Sequence, residues 1–200
     1  MVTVEVDVHG VERRLNAGLL TCPDCGGRLG PWGHARARSV RERDGVVRVR
    51  PRRARCSVCL ITHVLLPVSC LLRRADTVEV IGAALAAKAA GAGHRSIAHE
   101  FRRAPATVRG WLRRFASRLE VVRAFFTVLA VRVESDPVVP GPGENAWSDA
   151  IAAISSVRKA IWRRFEPREI VGEVTLWRSA CAATSGRLLS PRWSARIAVR

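Results

Sequence analysis

Two cysteine pairs, Cys22-Pro23-Asp24-Cys25 and Cys56-Ser57-Val58-Cys59, constrain this chain more than any other feature. Each Cys-x-x-Cys turn offers two soft ligands, and two such turns complete the four tetrahedral corners that zinc takes. The 30 residues between Cys25 and Cys56 exceed the usual spacer, but a β-hairpin grown out of a zinc ribbon accommodates them. The expectation is one Zn2+ held by Cys22, Cys25, Cys56 and Cys59, with a reduced, metal-free cysteine cluster as the alternative.

Reading the same cysteines as disulfides would require an oxidising compartment. The first ten residues alternate Val2, Val4, Val6 and Val8 with Thr3, Glu5 and Asp7, which is the period of a strand and not of an export signal. A cytoplasmic location is therefore expected. No apolar run approaches the roughly 20 residues of a membrane span. His34 and His63 read as packing or hydrogen-bonding histidines, and Cys70 and Cys181 as small buried hydrophobes.

The formal net charge of +17 is concentrated rather than spread. Residues 28–55 hold ten arginines against Glu42 and Asp44, and residues 93–118 hold seven against Glu100. Charge focused on the motif-bearing segments implies a polyanionic partner, double-stranded DNA above all. Only Lys88 and Lys159 are lysines, and arginine can fork two donors onto a phosphate or a guanine edge.

Along the chain, a short helical pattern over Val11–Leu15 follows the opening strand as a lid. Segments 34–42 and 46–55 meet at Asp44-Gly45, a hairpin signal because both turn positions favour positive φ. The hairpin presents Arg36, Arg38, Arg48, Arg50 and Arg52. Thr62–Pro67 is expected to end the ribbon and lead onward. From Asp76, Val78, Ile81, Leu85 and Ala89 recur at helical spacing, and Gly91-Ala92-Gly93 stops that run. A second, short helix carries Ile97, Ala98 and Phe101. Pro105 suits the first position of a third helix, which turns Val108, Leu112 and Phe115 inward. The order of helix, short helix, turn and amphipathic helix is that of a helix-turn-helix.

Ile97-Ala98 followed by Pro105-Ala106-Thr107-Val108-Arg109-Gly110-Trp111-Leu112 is similar to the homeodomain-like helix-turn-helix of transposases and their accessory proteins. Cys22–Gly27, Trp32-Gly33-His34, Arg53–Cys59 and Thr62–Pro67 look like the zinc ribbon that precedes that domain in such proteins. Residues 20–130 resemble a bacterial family of zinc-ribbon helix-turn-helix proteins, transposon-associated and without an assigned activity. The chain departs from the pattern at the turn, where Arg102 replaces the usual glycine and Ala104 the usual serine or threonine cap.

On this reading Thr107, Arg109, Gly110 and Arg113 enter a major groove. Arg109 and Arg113 fork onto guanines, while Arg102, Arg103 and Arg114 contact phosphates. The apolar series continues through Leu119, Val122, Phe126, Leu129 and Val133, which predicts one long helix. Its seam suits a coiled-coil dimer, but the flanking arginines would repel in a parallel homodimer, so packing within a monomer is favoured.

The expected fold is α+β: a zinc-ribbon domain over 1–72 and a helix-turn-helix domain with an extended recognition helix over 73–134. A Pro/Gly linker (135–144), a C-terminal helical segment (145–189) and a basic tail (190–200) complete it. Catalysis is not expected, because Asp136, Glu144, Asp149, Glu166, Glu169 and Glu173 lie in linker or short helical segments rather than converging on a metal pocket. The expected function is sequence-specific DNA binding, as a transposon-associated accessory protein or a transcriptional regulator, with a transposase or other protein as a possible partner. The alternative is an adaptor whose ribbon and C-terminal helices bind protein or RNA.

Overall fold

A computed structural model of the chain describes residues 1–134, 136–165, 174–191 and 193. The fold is mixed α+β. Four strands form one sheet in the order β1-β6-β5-β2, from β1 (Val2–Val4), β2 (Leu29–His34), β5 (Arg52–Cys56) and β6 (Thr62–Pro67). β6 runs parallel to β1 and antiparallel to β5, so the segment expected to end the ribbon is the last strand in sequence and a central one in the sheet. Its alternation explains this, since His63 and Leu65 are buried on pairing with two neighbours.

The opening strand is shorter than its valines suggest. Asp7 accepts hydrogen bonds from His9 N at 3.0 Å and Gly10 N at 2.9 Å. This cap starts α1 (Val8–Asn16) three residues earlier than the apolar pattern does. Val6 and Val8, without a sheet to cover them, are exposed. Val4, Val11, Leu15, Leu20, Leu29, Ala54 and Leu65 pack together with Cys22 and Cys56 as the first core.

The arginine-rich hairpin also differs from one continuous ribbon. β3 (Arg38–Arg41) and β4 (Val46–Val49) pair antiparallel around the expected turn, with Glu42 N donating to Gly45 O at 2.8 Å. They form a separate two-stranded sheet. In the larger sheet the β2–β5 register shifts after Pro31, which cannot donate to a ladder, and pairing resumes at His34 with Arg52.

The helices are α2 (Val78–Ala89), α3 (His94–Glu100), α4 (Pro105–Ala116), α5 (Leu119–Val133), α6 (Ala146–Arg164) and α7 (Leu176–Ala183). The expected single long helix is two, broken at Ser117–Arg118. Arg118 leaves helical geometry at φ −139° and ψ 14°, and its guanidinium donates to the Ser190 carbonyl at 2.8 Å and to the Trp193 carbonyl. Val122, Phe125, Phe126 and Ala130 of α5 are buried with Ala150, Ala153, Ile154 and Val157 of α6 in the main core. The apolar seam thus packs within the chain. Phe165, expected on the apolar face of α6, lies just beyond the helix and is exposed.

α5 and α6 run parallel. Glu134, just past α5, pairs at 2.7 Å with Arg163 in the last turn of α6, while Arg123 and Asp149 near the helix starts line one cleft with Val139–Pro142. Fifteen residues of α5 rise about 22 Å, and the Pro/Gly linker, at up to ~3.3 Å per residue, is long enough to return that distance.

The start of the expected mobile tail is packed: Trp193 is buried against Phe125, their ring centroids 5.0 Å apart. The remainder of that tail, and Glu166, Glu169 and Glu173, lie outside the described residues. Among the described residues no helix is long and apolar enough to cross a membrane.

Candidate metal centre and basic helix face

The first cysteine turn is closed by Cys22 N donating to Gly27 O at 2.8 Å and Gly26 N to Cys22 O at 2.9 Å, with Gly26 at φ +75°. The second follows β5, where Cys56 N donates to Ile61 O at 3.0 Å and Val58 N to Cys56 Sγ at 3.4 Å. Ser57 N donates to Arg28 O at 2.9 Å and brings the turns together. Gly27 permits that approach, because a Cβ there would stand 2.9 Å from Cys56 Sγ and 2.8 Å from Val58 Cγ2.

The four sulfurs lie within 4.8 Å of one another and none forms a disulfide. Cys22 and Cys59 Sγ are 3.7 Å apart, and Cys25 and Cys56 Sγ 3.4 Å. Tetrahedral thiolates at the usual metal–sulfur distance stand about 3.8 Å apart, so the donor set fits a single metal ion.

The ionisation pattern fits as well. Burial pushes the Cys56 thiol up, but the backbone amides of Cys59 and Val58 and the Cys25 and Cys59 thiols outweigh it and bring it to about 6. At Cys59 the Ile61 amide pulls down, while burial and the sulfurs of Cys25, Cys56 and Cys22 push the thiol up to about 12. Negative charge therefore accumulates on the cluster only with difficulty, and a divalent cation removes that obstacle.

His63, read from the sequence as a packing or hydrogen-bonding histidine, adds an outer partner. It is 2% exposed, with Nε2 3.3 Å from Cys22 Sγ and 3.7 Å from Asp24. With its proton on Nε2 it donates to the Cys22 sulfur, the orienting role of a histidine behind a metal ligand. Burial first, and then the nearby amino charge of Met1, lower its pKa, against the pull of Asp24. His34 is exposed and stands apart from this cluster.

The second feature is built by α3, the turn after it and α4. Arg102 takes φ +51° despite its side chain, and Arg103 N donates to Ala98 O at 2.9 Å. The turn keeps the left-handed residue that glycine usually supplies. Pro105 opens α4, and Ala104 provides no side-chain cap. Val108, Trp111, Leu112 and Phe115 are buried, which leaves Arg109 and Arg113 exposed and Thr107 and Gly110 half-buried on the opposite side.

Arg103 and Arg52 of the expected DNA-binding set are used internally, together with Arg41 and Arg43 of the hairpin. Arg103, 9% exposed, donates from Nε to Asp76 Oδ1 at 2.6 Å and from Nη2 to Glu42 O at 2.6 Å. Arg41 holds the other oxygen of the same carboxylate at 2.6 Å. Arg43 lies 4.9 Å over the Phe101 ring and pairs with Glu100 at 3.4 Å. These bonds dock the β3–β4 hairpin on the turn before α4. Arg52 is likewise occupied, pairing with Glu12 and donating to Gly33 O at 2.8 Å.

Arg114 folds back along α4, Nη1 donating to Gly110 O at 2.8 Å. Gly110 therefore makes room for Arg114 rather than lying open. Arg36, Arg48, Arg50 and Arg102 are exposed and Arg38 is half-buried. The residue the sequence reading missed is Asp76, taken only as the start of a helix. Its signal was its position as one of only two carboxylates, with Glu79, between the arginine-rich segments 28–55 and 93–118.

Searches of family models, of curated proteins and of solved structures each return no match to this chain.

Proposed function

We propose that the protein is a cytoplasmic, zinc-containing, sequence-specific binder of double-stranded DNA, acting as a monomer without a catalytic site of its own. The observation that carries this reading is the exposed Arg109–Arg113 face of α4, set immediately after a left-handed turn from α3, which buries Ile97 and Ala98. In this reading α3–α4 is a helix-turn-helix and α4 enters the major groove. Arg109 and Arg113, one turn apart, fork onto guanine edges, and Thr107 touches a thymine methyl or a phosphate. Arg102 and Arg114 contact phosphates and fix register. The docked hairpin extends the grip through Arg36, Arg38, Arg48 and Arg50.

Zinc at Cys22, Cys25, Cys56 and Cys59 supplies folding energy to the ribbon rather than chemistry, since four protein thiolates leave no open position. The hairpin bonds from Arg41 and Arg43 then make ribbon order a condition for presenting α4. Three described carboxylates have structural partners, Glu5 with Arg14, Asp76 with Arg41 and Arg103, and Glu134 with Arg163, which agrees with a non-catalytic role. Transposition accessory and transcriptional regulator both fit this description.

An adaptor reading draws on the exposed Val58, Leu60 and Ile61 beside the second cysteine turn. Enrichment of a random duplex library on the zinc-loaded protein, at physiological salt with competitor DNA, separates the two. A recovered motif is expected. Absence of any duplex binding would turn the assignment to the adaptor.

A further inference from the structure

Away from the outward face of α4, four arginines converge on one cleft. Arg73 and Arg74 come from the segment before α2, Arg114 from α4 and Arg187 from the turn after α7. With Leu72, Ser190 and Pro191 they line a space of about 670 Å³. No carboxylate of the described residues pairs with any of the four. Like charges gathered without a counterion are costly, and in this cleft burial and then the charge of Arg114 lower the pKa of Arg74.

The fold holds this arrangement rather than letting it relax. Leu72 N donates to Gly186 O at 2.8 Å, and Gly186 at φ +72° packs where a Cβ would stand 2.7 Å from Leu66 Cδ2. Arg74 Nη2 donates to Leu189 O at 3.3 Å, and Arg118 holds the Ser190 and Trp193 carbonyls, so the Arg187–Pro191 wall is tied to both sides. Arg73 sits at φ +58°, a backbone region that a long side chain adopts at a cost. Arg74 Nε is buried with no partner, while its Nη1 donates to the Arg73 carbonyl at 3.2 Å and helps fix the guanidinium at the cleft.

We propose that this cleft is a binding site for linked phosphates, with Arg73, Arg74, Arg114 and Arg187 as its ligands. The volume exceeds what a single phosphate fills and the forked donors suit neighbouring anionic oxygens. The phosphates come either from a nucleic-acid backbone running past α4, which shares Arg114 with the proposed DNA face, or from a free phosphorylated compound. The site itself does not depend on the DNA assignment.

The test is calorimetric titration of inorganic pyrophosphate into the zinc-loaded full chain at low salt. Saturable binding is expected, weakened about tenfold or more in Arg73→Gln, Arg187→Gln. Both residues are exposed, so the double variant is expected to retain its fold, checked by circular dichroism. Arg13→Gln, Lys159→Gln, both exposed and outside the cleft lining, removes the same charge and should bind as the parent does. No saturable binding, or equal weakening by this control, would overturn the proposal. Repeating the titration on a preformed duplex complex identifies the source. Blocked binding assigns the cleft to backbone phosphates, and unchanged binding assigns it to a free ligand. If pyrophosphate binds and no duplex does, the phosphate site stands and the DNA reading falls.

Discussion

Asp76 and Arg103 meet at 2.6 Å with both side chains withdrawn from solvent, and Arg41 completes the carboxylate from the other side. The three residues join the hairpin, the start of α2 and the α3–α4 turn in one charged knot. Removing the only acid leaves two arginines facing each other. Asp76→Ala should lower stability by about 3–5 kcal/mol in denaturant unfolding, the usual consequence of breaking a buried pair. A loss below ~0.5 kcal/mol would show that the knot contributes nothing.

The same geometry separates structural from recognition arginines. Arg109→Ala and Arg113→Ala should relax base preference with little loss of stability, whereas Arg50→Ala should weaken binding to every sequence and flatten its salt dependence by about one unit of slope. Arg103→Ala should unfold more easily. Equal, sequence-independent effects from the Arg109, Arg113 and Arg50 changes would discard the assigned face.

Metal content should be one equivalent of zinc per chain by elemental analysis. Cys22→Ser, Cys59→Ser should abolish it while helical circular dichroism persists. Gly27→Ala should lower metal affinity although no ligand is altered, because its Cβ would push Cys56 Sγ aside. Full retention of zinc by the double cysteine variant would refute the site.

Acid should release the metal. In the free cluster Cys59 keeps its proton at neutral pH, its thiol pushed up to about 12. Metal binding must expel that proton, so affinity rises with pH and is lost as pH falls. Titration in two buffers of different ionisation enthalpy reads the released protons, and a buffer-independent heat would contradict this linkage.

Gly82 of α2 lies under the indole of Trp177, where an added Cβ would stand 2.0–2.2 Å from three ring atoms. Gly82→Ala should destabilise by roughly 1–3 kcal/mol despite its better helix propensity. Adding Trp177→Leu should recover part of that loss, and an additive double variant would mean the two residues do not press on each other.

What the sequence alone determined is local. Cys-x-x-Cys spacing, the Asp44-Gly45 turn, Pro105 at a helix start and the buried Val108–Leu112–Phe115 stripe are each read within a few residues. Their physics, turn geometry and one-sided burial, acts at that range. The metal cluster was legible for this reason, as was the α+β character. The apolar seam misled because its three- and four-residue spacing runs unbroken from Leu112 to Val133, across the Ser117–Arg118 break. Periodicity records which side is buried and carries no trace of an axis that changes direction.

Only the tertiary structure decided that Arg118 leaves the helix to hold the carbonyls of Ser190 and Trp193, some 70 residues on. It also decided which arginines remain available. Counting charge gives every arginine the same weight, whereas Arg103 and Arg52 are spent on Asp76 and Glu12 and Arg73 gathers with Arg187. A charged side chain takes its role from the partners within a few ångströms, and those partners are set by how distant segments pack.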